Sequence, residues 1–180
     1  MSKKPRPILR LRQTVPTALA LHRRMYTATA EGDLDTLRKI TASGLQETLK
    51  SRILTRPPGE RLVWSLHKYT KSPRVVSNRA GTLPIDGSGI RQAVVRIQST
   101  QSLTRYAADG KMVPGTGNER EVKEYVVIQK LLWEGKEGPW ILWGTTEETT
   151  RHIVTSSWSE KLNGRRHHIL ALESKATLIV

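Results

Sequence analysis

The hydrophobic period of this 180-residue chain changes once, at Pro57-Pro58. Before that pair, apolar residues recur three or four positions apart. After it, they alternate. A helix-period pattern cannot settle into a strand, nor the reverse, so the helices come first and the strands follow. That order predicts an α+β layer, a curved antiparallel sheet with the helices packed on one face.

Upstream of the switch, Ala18, Leu21, Met25 and Ala28 predict an amphipathic helix from Thr17 to Ala30, with Pro16 at its favoured starting position. Gly32 stops it, and Asp33 can cap the next helix. Leu34, Leu37 and Ile40 give a short second helix ended by Gly44. Leu45, Leu49 and Ile53 give a third, ended before the proline pair. Downstream, Leu62, Trp64 and Leu66 begin a strand, and Arg74 to Leu83 reads as a second one. Ala93, Val95 and Ile97 mark a long strand from Ile90 to Tyr106. Asp109 to Asn118 is turn-like, Val122 to Trp133 is another strand, Gly135 to Gly138 is a hairpin turn, and Pro139 to Thr145 returns. The chain divides into a basic flexible arm (1–15), one α+β domain (16–150) and a C-terminal tail (151–180) that the pattern does not assign.

Thirty Lys and Arg face sixteen Asp and Glu, a net charge of +14. An excess of that size points to phosphate backbones or an anionic membrane surface. It is unevenly spread. Lys50, Arg52, Arg56, Arg61, Lys68, Lys71, Arg74 and Arg79 are opposed over their span by Glu60 alone. They form the candidate nucleic-acid-binding strip, with Arg52 and Arg56 expected on one helix face. Lys3, Lys4, Arg6, Arg10 and Arg12 lie in an arm that has no acid before Glu31. Its composition suits a mitochondrial transit peptide and equally a membrane- or RNA-binding arm. From Asp109 to Glu148 acids outnumber bases, so the second half is left for protein contacts.

Catalytic and metal signatures are missing from the sequence. There are no cysteines, which removes disulfides, thiolate zinc sites and Cys nucleophiles. Gly115-Thr116-Gly117 is too short for a dinucleotide fingerprint and reads as a loop. Glu147 and Glu148 are adjacent and point apart. His22, His67, His152, His167 and His168 show no metalloprotease spacing. Trp64, Trp133, Trp140 and Trp143 are expected in the core or on the sheet face. No apolar run approaches the ~18 residues that a membrane span needs. The reading is of a binding protein without metal, cofactor or small-molecule substrate. Its rival is a small-molecule enzyme using Asp86, Asp109, Tyr106 or Tyr125 in the mouth of a cone-shaped domain.

The runs RPPGERLVWSLHKY (56–69), PRVVSNRAGTLPI (73–85), GIRQAVVRIQSTQSLTRY (89–106) and EYVVIQKLLWEGKEGPWILWGTTEETT (124–150) resemble the Tim-forty-four-like proteins, as does MYTATAEGDLDTLRKITASGL (25–45). The resemblance covers Val15 to Thr150. It implies a cone-shaped fold like that of nuclear transport factor two. It also implies a matrix protein, peripheral on the mitochondrial inner membrane, that docks the large ribosomal subunit there for co-translational insertion, or a constitutive component of that subunit. The implied partners are ribosomal RNA and exit-site proteins, an Oxa-type insertase and the anionic lipid surface. The same domain in a protein-import scaffold is the alternative.

Overall fold

The structure, a computed structural model, describes residues 11–146. Three helices, α1 (Leu11–Glu31), α2 (Leu34–Ile40) and α3 (Ser43–Leu54), precede four strands, β1 (Arg61–Thr82), β2 (Gly89–Tyr106), β3 (Arg120–Trp133) and β4 (Lys136–Thr146). The strands form one antiparallel meander in the order β1-β2-β3-β4. All three helices pack on one face of it. Ala18, Leu21, Met25, Leu37, Leu45 and Leu49 share a core with the inward residues Ala93, Val95, Ile97, Val126, Ile128 and Leu142. The α+β class and the helix-then-strand order therefore stand.

Several boundaries differ from expectation. Helix α1 starts at Leu11 and carries Pro16 inside it rather than at its first turn. Thr14 ahead of the proline is already buried, which gives that extra turn a packing contact. Gly32, at φ +77°, ends α1 as expected. The Asp33 carboxylate accepts from the Thr36 amide at 2.9 Å, capping α2. Gly44 does not end α2, which stops at Ile40. It sits in the first turn of α3.

The two strands expected between Leu62 and Leu83 are one strand of 22 residues. Pro73 lies inside it and is tolerated because, among the described residues, β1 is an edge strand paired only to β2, where a missing N–H can face outward. The irregular sequence is absorbed as four register shifts between Leu66 and Ser77, each of which bends and twists the strand. The β3–β4 turn is Glu134-Gly135, not Gly135 to Gly138, with Trp133 opposite Lys136. Both turn residues have positive φ, 47° and 80°, as a two-residue type I′ hairpin requires.

Candidate nucleic-acid interface

The register sorts the predicted basic strip by face. Directly opposed residues in an antiparallel sheet point the same way. Ala93, Val95 and Ile97 turn toward the helices, so Gln92, Arg96, Gln98 and Thr100 turn away. Their partners follow them. Lys68 is opposite Thr100, Lys71 opposite Gln98, Arg74 opposite Arg96, and Arg79 opposite Gln92. On the far side of β2, Lys123 is opposite Gln98 and Tyr125 opposite Arg96. Arg61, paired with Tyr106 at the end of β1, points the same way and sets its guanidinium 4.6 Å from that ring. The face free of described helices (the helix-free face) thus collects Arg61, Lys68, Lys71, Arg74 and Arg79 from β1, and adds Arg96 and Lys123.

The densest part is two neighbouring rows, Lys71–Gln98–Lys123 and Arg74–Arg96–Tyr125. With strands about 4.8 Å apart, four cations fall within a patch about 10 Å wide. The Lys123 ammonium lies 5.4 Å from the Tyr125 ring. Two acids border the patch. Glu121 accepts from the Thr70 hydroxyl at 2.9 Å, and Glu119 lies 3.8 Å from His67 Nδ1. At the patch centre, Arg96 Nε and Gln98 Oε1 are covered and have no hydrogen-bond partner among the described residues. This is a donor and an acceptor that native structures ordinarily satisfy.

Three residues of the strip lie elsewhere. Lys50 and Arg52 are on α3, on the opposite side of the sheet, with the Lys50 ammonium 4.0 Å from Glu47. Arg56 does not share a helix face with Arg52, because α3 ends at Leu54. Its guanidinium donates to the carbonyls of Thr29 and Ala30. There it adds a donor to carbonyls of the last turn of α1. Arg12 is exposed on α1. Lys3, Lys4, Arg6 and Arg10 lie outside the described residues, as do Glu147, Glu148, His152, His167, His168 and the tail. Of the four tryptophans expected in the core or on the sheet face, Trp64 and Trp140 pack against the core, while Trp133 and Trp143 are 46% and 36% exposed.

The rival acid and tyrosine set is not brought together. Asp109 lies 3.3 Å from Lys111 in a loop, Asp86 is exposed in the β1–β2 connection, Tyr106 neighbours Met112, and Tyr125 is on the helix-free face. A different polar cluster occupies the helix-bearing side. Glu124 accepts from His22 Nε2 at 2.9 Å, from the Tyr26 hydroxyl at 2.5 Å and from the Gln101 amide at 2.9 Å. Burial pushes the Glu124 carboxyl up. The His22 contact, with help from Tyr26 and Gln101, outweighs it and holds the group below the usual carboxylate range. Tyr26 is driven far above an ordinary tyrosine by burial, then by the Glu124 charge. His22 is fully buried, and the cluster reads as a structural anchor.

Sequence comparison was made against this geometry. Residues 4–171 match the family described as MBA1-like protein. The chain belongs to that family. An uncharacterized protein of Schizosaccharomyces pombe is 28% identical to this MBA1-like chain over 143 residues, 79% of the chain and 49% of that protein. The large ribosomal subunit protein mL45 of Xenopus tropicalis is 36% identical over 67 residues, 37% of the chain and 22% of that protein. The MBA1-like chain thus spans at most about half the length of these two relatives. Among solved structures, the intermembrane space region of the chloroplast protein ARC6 aligns with a TM-score of 0.46 at 10% identity, covering 78% of this chain and 97% of that one.

Proposed function

We propose that this MBA1-like protein is a non-enzymatic binding protein that associates with the large subunit of the mitochondrial ribosome through the helix-free face of its sheet. One observation carries the reading: Lys71, Arg74, Arg96 and Lys123 gather in two adjacent rows on a face that no described helix covers. Arginine pairs with phosphate oxygens bidentately, and several such contacts give strong binding to an RNA backbone without base readout. The family match and the ribosomal relative's name support ribosomal RNA as that backbone. The rest of the reading follows the family resemblance. The fold is a cone of the nuclear-transport-factor-two type. The protein works in the matrix, peripheral on the inner membrane. It docks the subunit there beside an Oxa-type insertase, with the basic N-terminal residues on anionic lipid. No helix among the described residues is long and apolar enough to cross a bilayer.

Cosedimentation with purified mitochondrial large subunits tests the interface. Charge reversal at Arg74 and Arg96 is expected to leave the protein folded and in the supernatant. Reversal at Lys50 and Arg52, on the other side of the sheet, is expected to leave it in the pellet. Normal pelleting of the Arg74→Glu/Arg96→Glu protein would remove the helix-free face from the proposal.

A further inference from the structure

A cavity of about 270 Å³ opens on the helix-bearing side, beyond the part of the sheet that the helices cover. Its lining includes Tyr26, Trp64, Arg105, Thr116, Asn118 and Arg120. We propose that it binds a single nucleotide unit, with the base against the Tyr26–Trp64 ring pair and the phosphate between Arg105 and Arg120.

Three features support a built site. The rings are fixed before anything binds. Trp64 donates its indole N–H to Gln101 at 2.9 Å and stacks on Tyr26, with centroids 4.9 Å apart and planes 12° from parallel. Tyr26 is in turn tied to Glu124, so little ordering cost is left for a ligand. Trp64 is also only partly buried, at the margin of the core, where it leaves ring surface along the cavity.

The charge is selective as well. The Arg105 guanidinium is held at 2.5 Å by Glu60, whose side chain is 6% exposed. That bond fixes the arginine and cancels its charge. Arg120 is exposed and makes no ion pair among the described residues, so it is the cation at the rim that remains open to an anion. Asn118 makes no hydrogen bond among the described residues either, and its carboxamide can serve a base edge. The hydroxyl of Thr116 is already engaged, donating to the Val113 carbonyl at 2.7 Å.

Flat aromatic surface, an amide and arginine together form the chemistry that takes an unstacked base with its phosphate. The size sets the limit. A cavity of about 270 Å³ falls below the roughly 300–1,000 Å³ of clefts for drug-sized ligands, so one nucleotide suits it and a dinucleotide does not. The site lies on the opposite face from the basic rows and stands or falls independently of them.

The test uses the full chain, uridine and adenosine 5′-monophosphates, the matching nucleosides, and a uridine tetranucleotide. Binding is followed by titration calorimetry in every variant and, where Trp64 is present, also through its indole N–H resonance. Monophosphates are expected to shift it at millimolar concentrations or below, and nucleosides to bind about tenfold more weakly. Arg120→Gln, an exposed change, should weaken the monophosphates about tenfold. Trp64→Leu should cost about 5- to 150-fold, the range of one base–aromatic stack, with Trp64→Phe recovering part of it. Arg38→Gln, exposed on α2, serves as a control without effect. A tetranucleotide binding ten times tighter than the monophosphate identifies an RNA strand as the source, and equal affinity identifies a free nucleotide. The proposal is overturned if nothing shifts the resonance, if nucleosides bind as well as nucleotides, or if Arg120→Gln changes nothing.

Discussion

Glu124 concentrates the residue-scale physics. One carboxylate takes donors from His22 and Tyr26 on α1 and from Gln101 on β2, while itself on β3. It therefore locks the long helix to two strands. Replacing it with Leu strands three buried donors and is expected to destabilise the fold by about 3–5 kcal/mol. Tyr26→Phe removes one bond to a charged acceptor and should cost about 1.5–3 kcal/mol. Urea midpoints check both. The acid response has a definite sign. The carboxyl is depressed in the folded protein, so its contribution is complete above the unfolded-state value, about 4.3. It is lost as pH falls through the lower folded value. Wild-type melting temperature should fall more steeply below about pH 4.3 than that of Glu124→Gln, since the amide has no such titration. None of this was visible in the basic strip. The signal was there in another form. Glu124 alternates with Val126 and Ile128 on the inward side of β3, and His22 lies beside Leu21 and Met25 on the buried stripe of α1. A charged group at an inward position needs partners, but which partners depends on how α1 crosses the sheet, and that is not a local property.

At the scale of elements, two hairpins are tied together at their ends. The Gly135 amide donates to the Gly87 carbonyl at 2.9 Å, and the Glu134 amide to the Ser88 hydroxyl at 3.0 Å. A methyl group on Gly87 would come within 3.3 Å of the Gly135 nitrogen, on a backbone whose φ is +71°. Glu134 itself holds φ 47° without being Gly or Asn. Glu134→Asn should therefore stabilise the protein by about 0.5–1 kcal/mol, while Gly87→Ala should destabilise it by at least as much. Thermal unfolding of the two single variants checks the opposite signs. The strongly periodic elements were legible from sequence. β2 and β3 extend only one or two residues beyond the expected ends, and the core residues expected on α1 are all buried. The misreadings fall where local chemistry was overruled by context. The segments from Leu62 and from Arg74 read as two strands until the register with β2 joins them, and Pro16 reads as a start until Thr14 is known to be buried.

For the whole molecule, the sheet separates two kinds of surface. One side carries the helices, the Glu124 cluster and the cavity. The other carries the cationic rows. Composition gave the sign and size of the charge, and the strand register gave its direction. Cations from three strands therefore became neighbours that no window of the sequence places together, Arg96 and Lys123 among them. If this face contacts phosphate, binding to large subunits should weaken steeply with salt. Lys71→Gln/Arg74→Gln should flatten the log–log salt slope by about 1.5, the loss of two phosphate contacts. Pelleting titrations at graded salt measure it. An unchanged slope with weaker binding would instead indicate a structural loss.

The outer border of β1 has a consequence for how this protein keeps company with itself. Among the described residues, its twenty-two positions have no strand neighbour on one side, a row of backbone groups of the kind that invites a second chain to add on. The register shifts, Pro73 and the lysines and arginines along it all discourage that docking. The charges proposed to grip RNA are thus also what keeps copies apart, and neutralising them should trade a lost ligand for a tendency to cluster. A drift toward milder residues on this strand would be penalised twice over, once in recognition and once in colloidal behaviour.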